Sequence, residues 1–360
     1  MPYDEAARAF RAGHGAAGRS GAERTTRPWN EDKFMQLNLS YDMRAPDFGA
    51  PARELYAAAL DQVQWADELG FDAVGLGEHH ASPDGYLPSP LVLIPAMAAR
   101  TRNIHFRTSV LLAPLYDPVK LAEDAAVAQL CSGGRLQLGI GGGYRPAEFE
   151  MFGRSLEDRW GVIGETIEFL RLAFTGEPFE WKGRRCHVTP KPDPVPPILL
   201  GGGSKAAARR AARIADGWFP PLEPRLWEPY REECLLLGKP DPGEYPRHGP
   251  IFLWVSKEPE RAWERLMPHV LHQLRSYSDW TIEAFGRPAG PFAQDIGEET
   301  VRQSDAYKVF TPEQTLALAE ELGDHSVFYL NPLLAGIDPG FAGEMLRLYE
   351  DEVHPHLRGG

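Results

Sequence analysis

Short apolar runs alternate with amphipathic stretches along the chain, beginning near Phe34. The first run, FMQLNLSY, alternates apolar and polar residues and ends at a Pro/Gly-rich loop, which predicts a β-strand. From Leu55 to Leu69 apolar residues then recur at three- and four-residue intervals. Gly70 ends this pattern, which predicts an amphipathic helix with a left-handed cap. The next run, FDAVGLG, predicts a second strand.

The same order of strand, loop and helix continues through the chain. Further strands are predicted at IHFRTSVLLA, LQLGIG, PPILL, GWFP, IFLWVSK and HSVFYL, and a small hairpin at FEWKGRRCHVTP. Helices are predicted at about 89–101, 118–131, 156–175, 205–215, 224–237, 312–322 and 339–350. Eight strands alternating with helices favour an α/β fold, a TIM (β/α)8 barrel with insertion loops. The alternative is an open doubly wound sheet with an added domain, although a Gly-rich turn after the first strand is missing.

The chain divides into an extension and one domain. Residues 1–33 are rich in Ala, Gly and Arg and lack the apolar core of a secretion signal, so we expect a flexible N-terminal extension before a barrel domain at 34–360. The Pro/Gly-rich segments 238–250 and 276–306 are longer than ordinary connections, and we interpret them either as lids or as exposed insertions. Aromatic residues in the second segment are candidates for an apolar substrate pocket, namely Tyr277, Trp280, Phe285 and Phe292.

Composition narrows the classes of partner. The chain has 360 residues, 43% hydrophobic and 25% charged, as in a soluble globular protein. Its net charge of −13 argues against nucleic acid as a partner. Three cysteines without a close pair argue against disulfides and structural zinc and favour the cytoplasm. The uncharged stretch 86–99 is too short to span a membrane and is interrupted by prolines.

Glu78, His79 and His80 directly follow the second predicted strand. Barrel enzymes place their reacting groups at this end of the strands, so we predict that the three residues belong to the catalytic site, although a structural role is the ordinary one for a single histidine. Zinc hydrolases need three or four convergent ligands. The other histidines form no matching pair at a strand end, and we therefore predict no metal site.

Two glycine clusters also follow predicted strands. The first comprises Gly139 and 141–143 and runs into Tyr144; the second comprises 201–203 and runs into Ser204. Glycine lets backbone N–H groups approach an anion, and the second cluster leads into a helix N-terminus, where a phosphate is favoured. The alternative is a tight turn in which Ser204 only caps the helix.

Several blocks together resemble the bacterial luciferase-like, flavin-dependent monooxygenases. They are EHH, DGYLPSPL, LLAPLYDPVKLAEDAAVAQLCSGGRLQLGIGGGYRPAEFEMFG and PPILLGGGSKAAARRAARIADGW, with VFTPEQ and DEVHPHL near the end. The resemblance covers about residues 34–357. It implies a TIM barrel that binds reduced FMN, supplied by a separate NAD(P)H-dependent flavin reductase, and captures O2 as a flavin hydroperoxide. It also implies a homodimer.

The resemblance also assigns site residues. His79 matches the family's catalytic histidine, with Glu78 and His80 orienting it or packing nearby. The cofactor-binding residues implied are Ser109, Gly142, Gly143, Tyr144, Gly201, Gly202, Gly203 and Ser204. Luciferases carry an arginine where this chain has Gly142, so the phosphate needs another cation, for which Arg145 is one candidate. A bulge or a cis peptide is implied at Ser109–Val110.

The function implied is oxidation of a small organic substrate, such as an aldehyde or a ketone, by reduced FMN and O2. A deazaflavin-dependent dehydrogenase or reductase is the second hypothesis, because relatives on this fold use that cofactor. A flavin-binding protein without turnover is the third, and a metal hydrolase is the weakest.

Removing residues 1–32 is expected to leave folding and flavin binding intact, because the resemblance begins after them. Soluble yield, circular dichroism and flavin titration of the truncated and full-length chains test this. Loss of soluble protein on truncation would contradict it.

Overall fold

The computed structural model describes residues 35–219, 224–289 and 296–357; the expected extension at 1–33 lies outside them. The strands are β1 (Gln36–Tyr41), β2 (Ala73–Leu76), β3 (His105–Thr108), β4 (Leu111–Leu112), β5 (Leu136–Gly141), β6 (Phe179–Trp181), β7 (Arg184–Cys186), β8 (Ile198–Gly201), β9 (Gly217–Phe219), β10 (Arg247–His248), β11 (Phe252–Val255), β12 (Tyr307–Phe310) and β13 (Ser326–Leu330). The helices are α1 (Ala52–Leu69), α2 (Pro90–Ala98), α3 (Pro118–Cys131), α4 (Pro146–Met151), α5 (Arg159–Ala173), α6 (Lys205–Ile214), α7 (Trp227–Leu236), α8 (Pro259–Phe285), α9 (Glu298–Gln303), α10 (Pro312–Leu322), α11 (Pro339–Glu352) and α12 (His354–Leu357).

The strands form a parallel sheet in which chain order is kept from β1 to β9, while β11 lies between β12 and β13. The ladder runs β12–β11–β13–β1–β2–β3–β5–β8–β9, while β10 pairs with β13 and β4 with β5. The first strand therefore lies beside the last, with Gln36 opposite Val327, as closure of a barrel requires. The chain is a TIM-type α/β barrel, and the doubly wound alternative is wrong. The predicted hairpin is confirmed as the antiparallel pair β6–β7.

Side chains from neighbouring strands, and from the more distant β3 and β9, meet inside the barrel. Arg107 of β3 is 5% exposed, and its Nε donates to Gln137 Oε1 of β5 at 2.8 Å. Its guanidinium carbon lies 5.6 Å from the ring centroid of Phe219, at the end of β9. His248 of β10 stacks on Tyr329 of β13 at 6.2 Å. The sheet is therefore curled around a filled interior.

The helices begin and end where local chemistry predicts. Proline occupies the first position of α2, α3, α4, α8, α10 and α11, where its missing N–H costs nothing. Thr311 and Gln314 form a capping box at α10. Gly70 ends α1 at a φ of 79°, in the left-handed region. None of the described helices is both long and apolar enough to cross a bilayer.

The two long connections differ from their prediction. Helix α8 continues through the first ten residues of segment 276–306, with Trp280 and Thr281 buried, and ends at Gly286, while α9 forms in its second half. Segment 238–250 contains β10, and β12 adds a strand beside β11. Tertiary burial stabilises these short elements against a Pro/Gly-rich background. Phe292 lies outside the described residues.

The third barrel strand is interrupted between β3 and β4, where the chain moves against neighbouring glycines. The peptide Ser109–Val110 is cis. A Cβ on Gly139 would lie 2.0 Å from the Thr108 carbonyl oxygen, and one on Gly141 would lie 2.2 Å from Val110 Cγ2. Glycine at these positions therefore gives Thr108–Val110 its space.

Replacing Gly139 with Ala is expected to lower the free energy of unfolding by roughly 3 kcal/mol, because the new methyl group meets backbone rather than a movable side chain. Urea denaturation measures the change. Gly161→Ala in α5 is the matched control, since its Cβ meets nothing within 4 Å and is expected to be neutral or stabilising. Equal losses in both variants would contradict this reading of Gly139.

Candidate active site

The Glu78–His80 segment follows β2 at the carboxyl end of the barrel strands. All three residues are buried, and His79 is 7% exposed. His79 Nδ1 lies 2.8 Å from Oε1 of Glu148, a residue of α4. The backbone N–H of His80 donates to the same oxygen at 2.8 Å. One carboxylate oxygen therefore holds both the His79 ring and the following peptide.

Glu78 and His80 form a second pair. His80 Nε2 lies 2.7 Å from Glu78 Oε1. Glu78 also accepts from the Leu112 backbone N–H at 3.0 Å and from the Tyr116 hydroxyl at 3.0 Å. The described hydrogen bonds of Glu78 thus go to His80, Leu112 and Tyr116, whereas His79 is held by Glu148.

Aromatic rings from two loops and helix α8 surround His79. The ring centroid of Trp280 is 4.6 Å from that of His79, and Tyr86 is 4.9 Å away. Tyr144 and Tyr277 follow at 5.8 and 5.9 Å. The expectation that residues of segment 276–306 line the site therefore agrees with the positions of Tyr277 and Trp280, which lie on α8 and not on a loop.

Two buried arginines flank Trp280. The guanidinium carbons of Arg44 and Arg145 lie 4.5 and 4.1 Å from its ring centroid. Arg44 Nη1 donates to Asp84 Oδ2 at 2.6 Å, and Arg145 Nη1 donates to the His80 carbonyl at 2.7 Å. Arg145 therefore packs among the residues that surround His79.

Burial is the largest influence on the pKa values of His79 and Glu78. It lowers the pKa of His79, and the positive charges of Arg145 and Arg44 lower it further, while the bond to Glu148 opposes them. Burial also raises the pKa of Glu78, against the bonds from His80, Leu112 and Tyr116. The His79 imidazole is therefore neutral at neutral pH and available as a proton acceptor.

The glycine clusters lie side by side. Ile140 pairs with Leu200, so the residues that follow β5 and β8 leave the sheet together. Gly201 is buried, and a Cβ there would lie 3.0 Å from Val110 Cγ1. Gly203 and Ser204 are exposed. Ser204 Oγ accepts from the Ala207 N–H at 3.1 Å, which leaves earlier N–H groups of α6 available to an anion.

Trp160 covers the first glycine cluster. A Cβ on Gly142 would lie 2.8 Å from Trp160 Cζ3, so this indole occupies the space of a side chain at position 142. The guanidinium carbons of Arg210 and Arg159 lie 4.7 and 4.9 Å from its ring centroid. Both cations therefore lie on the indole that covers Gly142. Gly143, at a φ of 65°, turns the chain toward Tyr144.

Ser109 lies between β3 and β4 and is partly exposed. Its Oγ would be 3.1 Å from a Cβ on Gly75 of β2, so its side chain points toward that strand. In the part of the chain that the structure describes, no three His, Cys, Asp or Glu side chains are placed to hold a metal ion.

Glu148 is the main residue that sequence reasoning missed. It lies in GYRPAEFEMFG, one of the quoted blocks, four residues after Tyr144. Adjacency along the chain favoured Glu78 as the partner of His79, and the contact with Glu148 joins residues 69 positions apart. No sequence pattern distinguishes the other residues of the site from surface residues. They are Arg44, Tyr86, Trp160 and Arg210.

Known proteins resemble this chain in sequence and in fold. The luciferase-like monooxygenase model matches residues 40–328. The oxygenase component of the flavin-dependent trigonelline monooxygenase of Acinetobacter baylyi is 29% identical over 176 residues, covering 46% of this chain and 48% of that protein. The F420-dependent glucose-6-phosphate dehydrogenase of Amycolatopsis mediterranei is 29% identical over 195 residues, 51% of this chain and 57% of that enzyme. These matches span about half the length of either relative.

A solved structure shows the same fold. The oxygenating constituent of 3,6-diketocamphane monooxygenase of Pseudomonas putida, solved in complex with FMN, superposes with a TM-score of 0.65 at 22% identity. The superposition covers 89% of this chain and 98% of that one.

Proposed function

The chain belongs to the luciferase-like monooxygenase family, and we propose that it is a two-component monooxygenase that uses reduced FMN and O2 to oxidise a small organic substrate. The observation that carries the proposal is a buried His79, held by a carboxylate and surrounded by aromatic rings, at the same barrel end as paired glycine turns. The FMN-containing fold relative and the trigonelline oxygenase component support it. A separate flavin reductase would supply the reduced cofactor.

The residues present fit such a cofactor. The exposed turn at Gly203 and Ser204 and the cations on Trp160 would hold its phosphate, while Ser109 and Tyr144 lie at the same end of the barrel. Reduced FMN, when bound, supplies the electrons that activate O2 and delivers one oxygen atom to the substrate. His79 holds or accepts a proton at Nε2, and the rings around it exclude water. An aldehyde or a ketone suits the apolar wall.

A deazaflavin-dependent dehydrogenase is the second candidate, because the F420-dependent glucose-6-phosphate dehydrogenase matches about as well as the oxygenase component. The same barrel end would then serve hydride transfer without O2. The same glycine turns would hold the phosphate of either cofactor.

Titration of the purified chain with FMN, reduced FMN and a deazaflavin distinguishes the monooxygenase from the dehydrogenase. Monooxygenase function predicts binding of reduced FMN and, with a reductase and O2, product formation from aldehydes or ketones. His79→Ala is expected to lower that product formation by about 10²-fold, as for loss of a general acid or base, with flavin affinity kept. His187→Ala, an exposed histidine, is the control. Binding of the deazaflavin alone would favour the dehydrogenase.

Arg210 is expected to contribute to phosphate binding. No carboxylate among the described residues lies within 4.0 Å of its guanidinium, whereas Arg209 and Arg213 beside it approach Glu233. Arg210→Met should weaken FMN about tenfold, the worth of one hydrogen bond to a charged group, and leave riboflavin affinity unchanged. Arg209→Met is the matched control. Equal effects on FMN and riboflavin would assign Arg210 to packing on Trp160.

A further inference from the structure

We infer that Glu148 is the positioning residue of His79, fixing the imidazole in the tautomer that has the proton on Nδ1 and the lone pair on Nε2. The inference rests on the proposed function for the use of that lone pair. The tautomer itself is a property of the chain without cofactor.

The direction of the bond follows from the other donor on the same oxygen. The His80 backbone N–H can only donate, and it reaches Glu148 Oε1 at 2.8 Å. That oxygen therefore acts as an acceptor, and the 2.8 Å contact with His79 Nδ1 is completed by a proton on Nδ1. Within the described residues Nε2 has no hydrogen-bond partner, so it is the nitrogen left to take a proton.

Glu148 is itself held rigidly. It is 0% exposed and belongs to the first turn of α4, where its N–H lies 3.2 Å from the Arg145 carbonyl. The Arg145 guanidinium, which also donates to the His80 carbonyl, lies 3.6 Å from Glu148 Oε1. The carboxylate and the peptide after His79 are thus fixed by one arginine, so the ring has little freedom to turn.

The carboxylate nearer in sequence does not take this role. Glu78 bonds the ring of His80, and the Leu112 N–H and the Tyr116 hydroxyl occupy the same carboxylate. His80 is therefore tied at Nε2, which is the nitrogen that His79 keeps available. The two adjacent histidines are held by opposite ring nitrogens.

Several charged or titratable groups face His79 from the elements packed around it. Glu148 stabilises the protonated ring, and the two arginines oppose protonation. The hydroxyl-bearing rings are neutral at ordinary pH, because burial raises their pKa values. The full set is Glu148, Arg145, Arg44, Tyr86, Tyr144 and Tyr277.

The first test uses the unmodified chain. Nitrogen-15 NMR of histidine-labelled protein, with His79→Gln to assign the signal, reports which ring nitrogen carries the proton at neutral pH. We expect protonated Nδ1 and unprotonated Nε2. A proton on Nε2, or rapid averaging between the two tautomers, would overturn the inference whatever cofactor the chain uses.

The second test removes the charge and keeps the shape. In Glu148→Gln the contribution that raises the His79 pKa is lost, so the midpoint of His79 titration is expected to move to lower pH. Product formation in the coupled assay should fall at least tenfold in kcat, with KM little changed, and its acid limb should follow the same shift. Glu150→Gln, exposed on the same short helix, is the matched control.

The outcomes separate the two claims. An unchanged His79 midpoint in folded Glu148→Gln, checked by circular dichroism, would overturn the positioning role. A shifted midpoint together with an absence of flavin binding in the wild type would keep that role and refute the proposed function. If Glu148→Gln does not fold, the tautomer measured on the unmodified chain still decides.

Discussion

The course of the third strand at Thr108–Val110 is the constraint on which the site depends. Gly139 and Gly141 leave the space that it fills, and the chain then resumes as β4 beside β5. The Leu112 N–H of β4 donates to Glu78 at 3.0 Å. Glu78 also holds the ring of His80, while His79 pairs with Glu148. Each of the two histidines therefore has its own carboxylate, and the strand that packs against the glycines supplies one of the bonds to Glu78.

The buried charges around His79 each have at least one polar partner. Removing a charge from water costs several kcal/mol unless partners replace the hydration. Arg44 has Asp84, Arg145 has Glu148 and the His80 carbonyl, and Trp280 presents its ring to both arginines. The net charge of −13 argues against nucleic acid as a partner, yet this local set includes two guanidinium groups.

Sequence periodicity was sufficient for the barrel and for placing Glu78–His80 at the carboxyl end of its strands. Chain order, and the rule that parallel strands share an end, are enough to place Glu78–His80 and the two glycine turns at one end of the barrel. The pairing of His79 with Glu148 was beyond such reasoning, because it depends on how α4 packs. The sequence predicts a loop at 276–285 for a related reason: burial of Trp280, rather than local propensity, stabilises the end of α8.

Some residues of the candidate site would serve a flavin and a deazaflavin equally, and others would select between them. A neutral imidazole held by a carboxylate takes up a proton and releases it again, which both oxygen insertion and hydride transfer require in each turnover. The His79–Glu148 pair therefore suits either chemistry and does not choose between them. Under the proposed function, the choice would fall to residues that contact the cofactor, for which Trp160 with its cations and the rings around His79 are our candidates. Variation within the family is accordingly expected at those positions rather than at the pair.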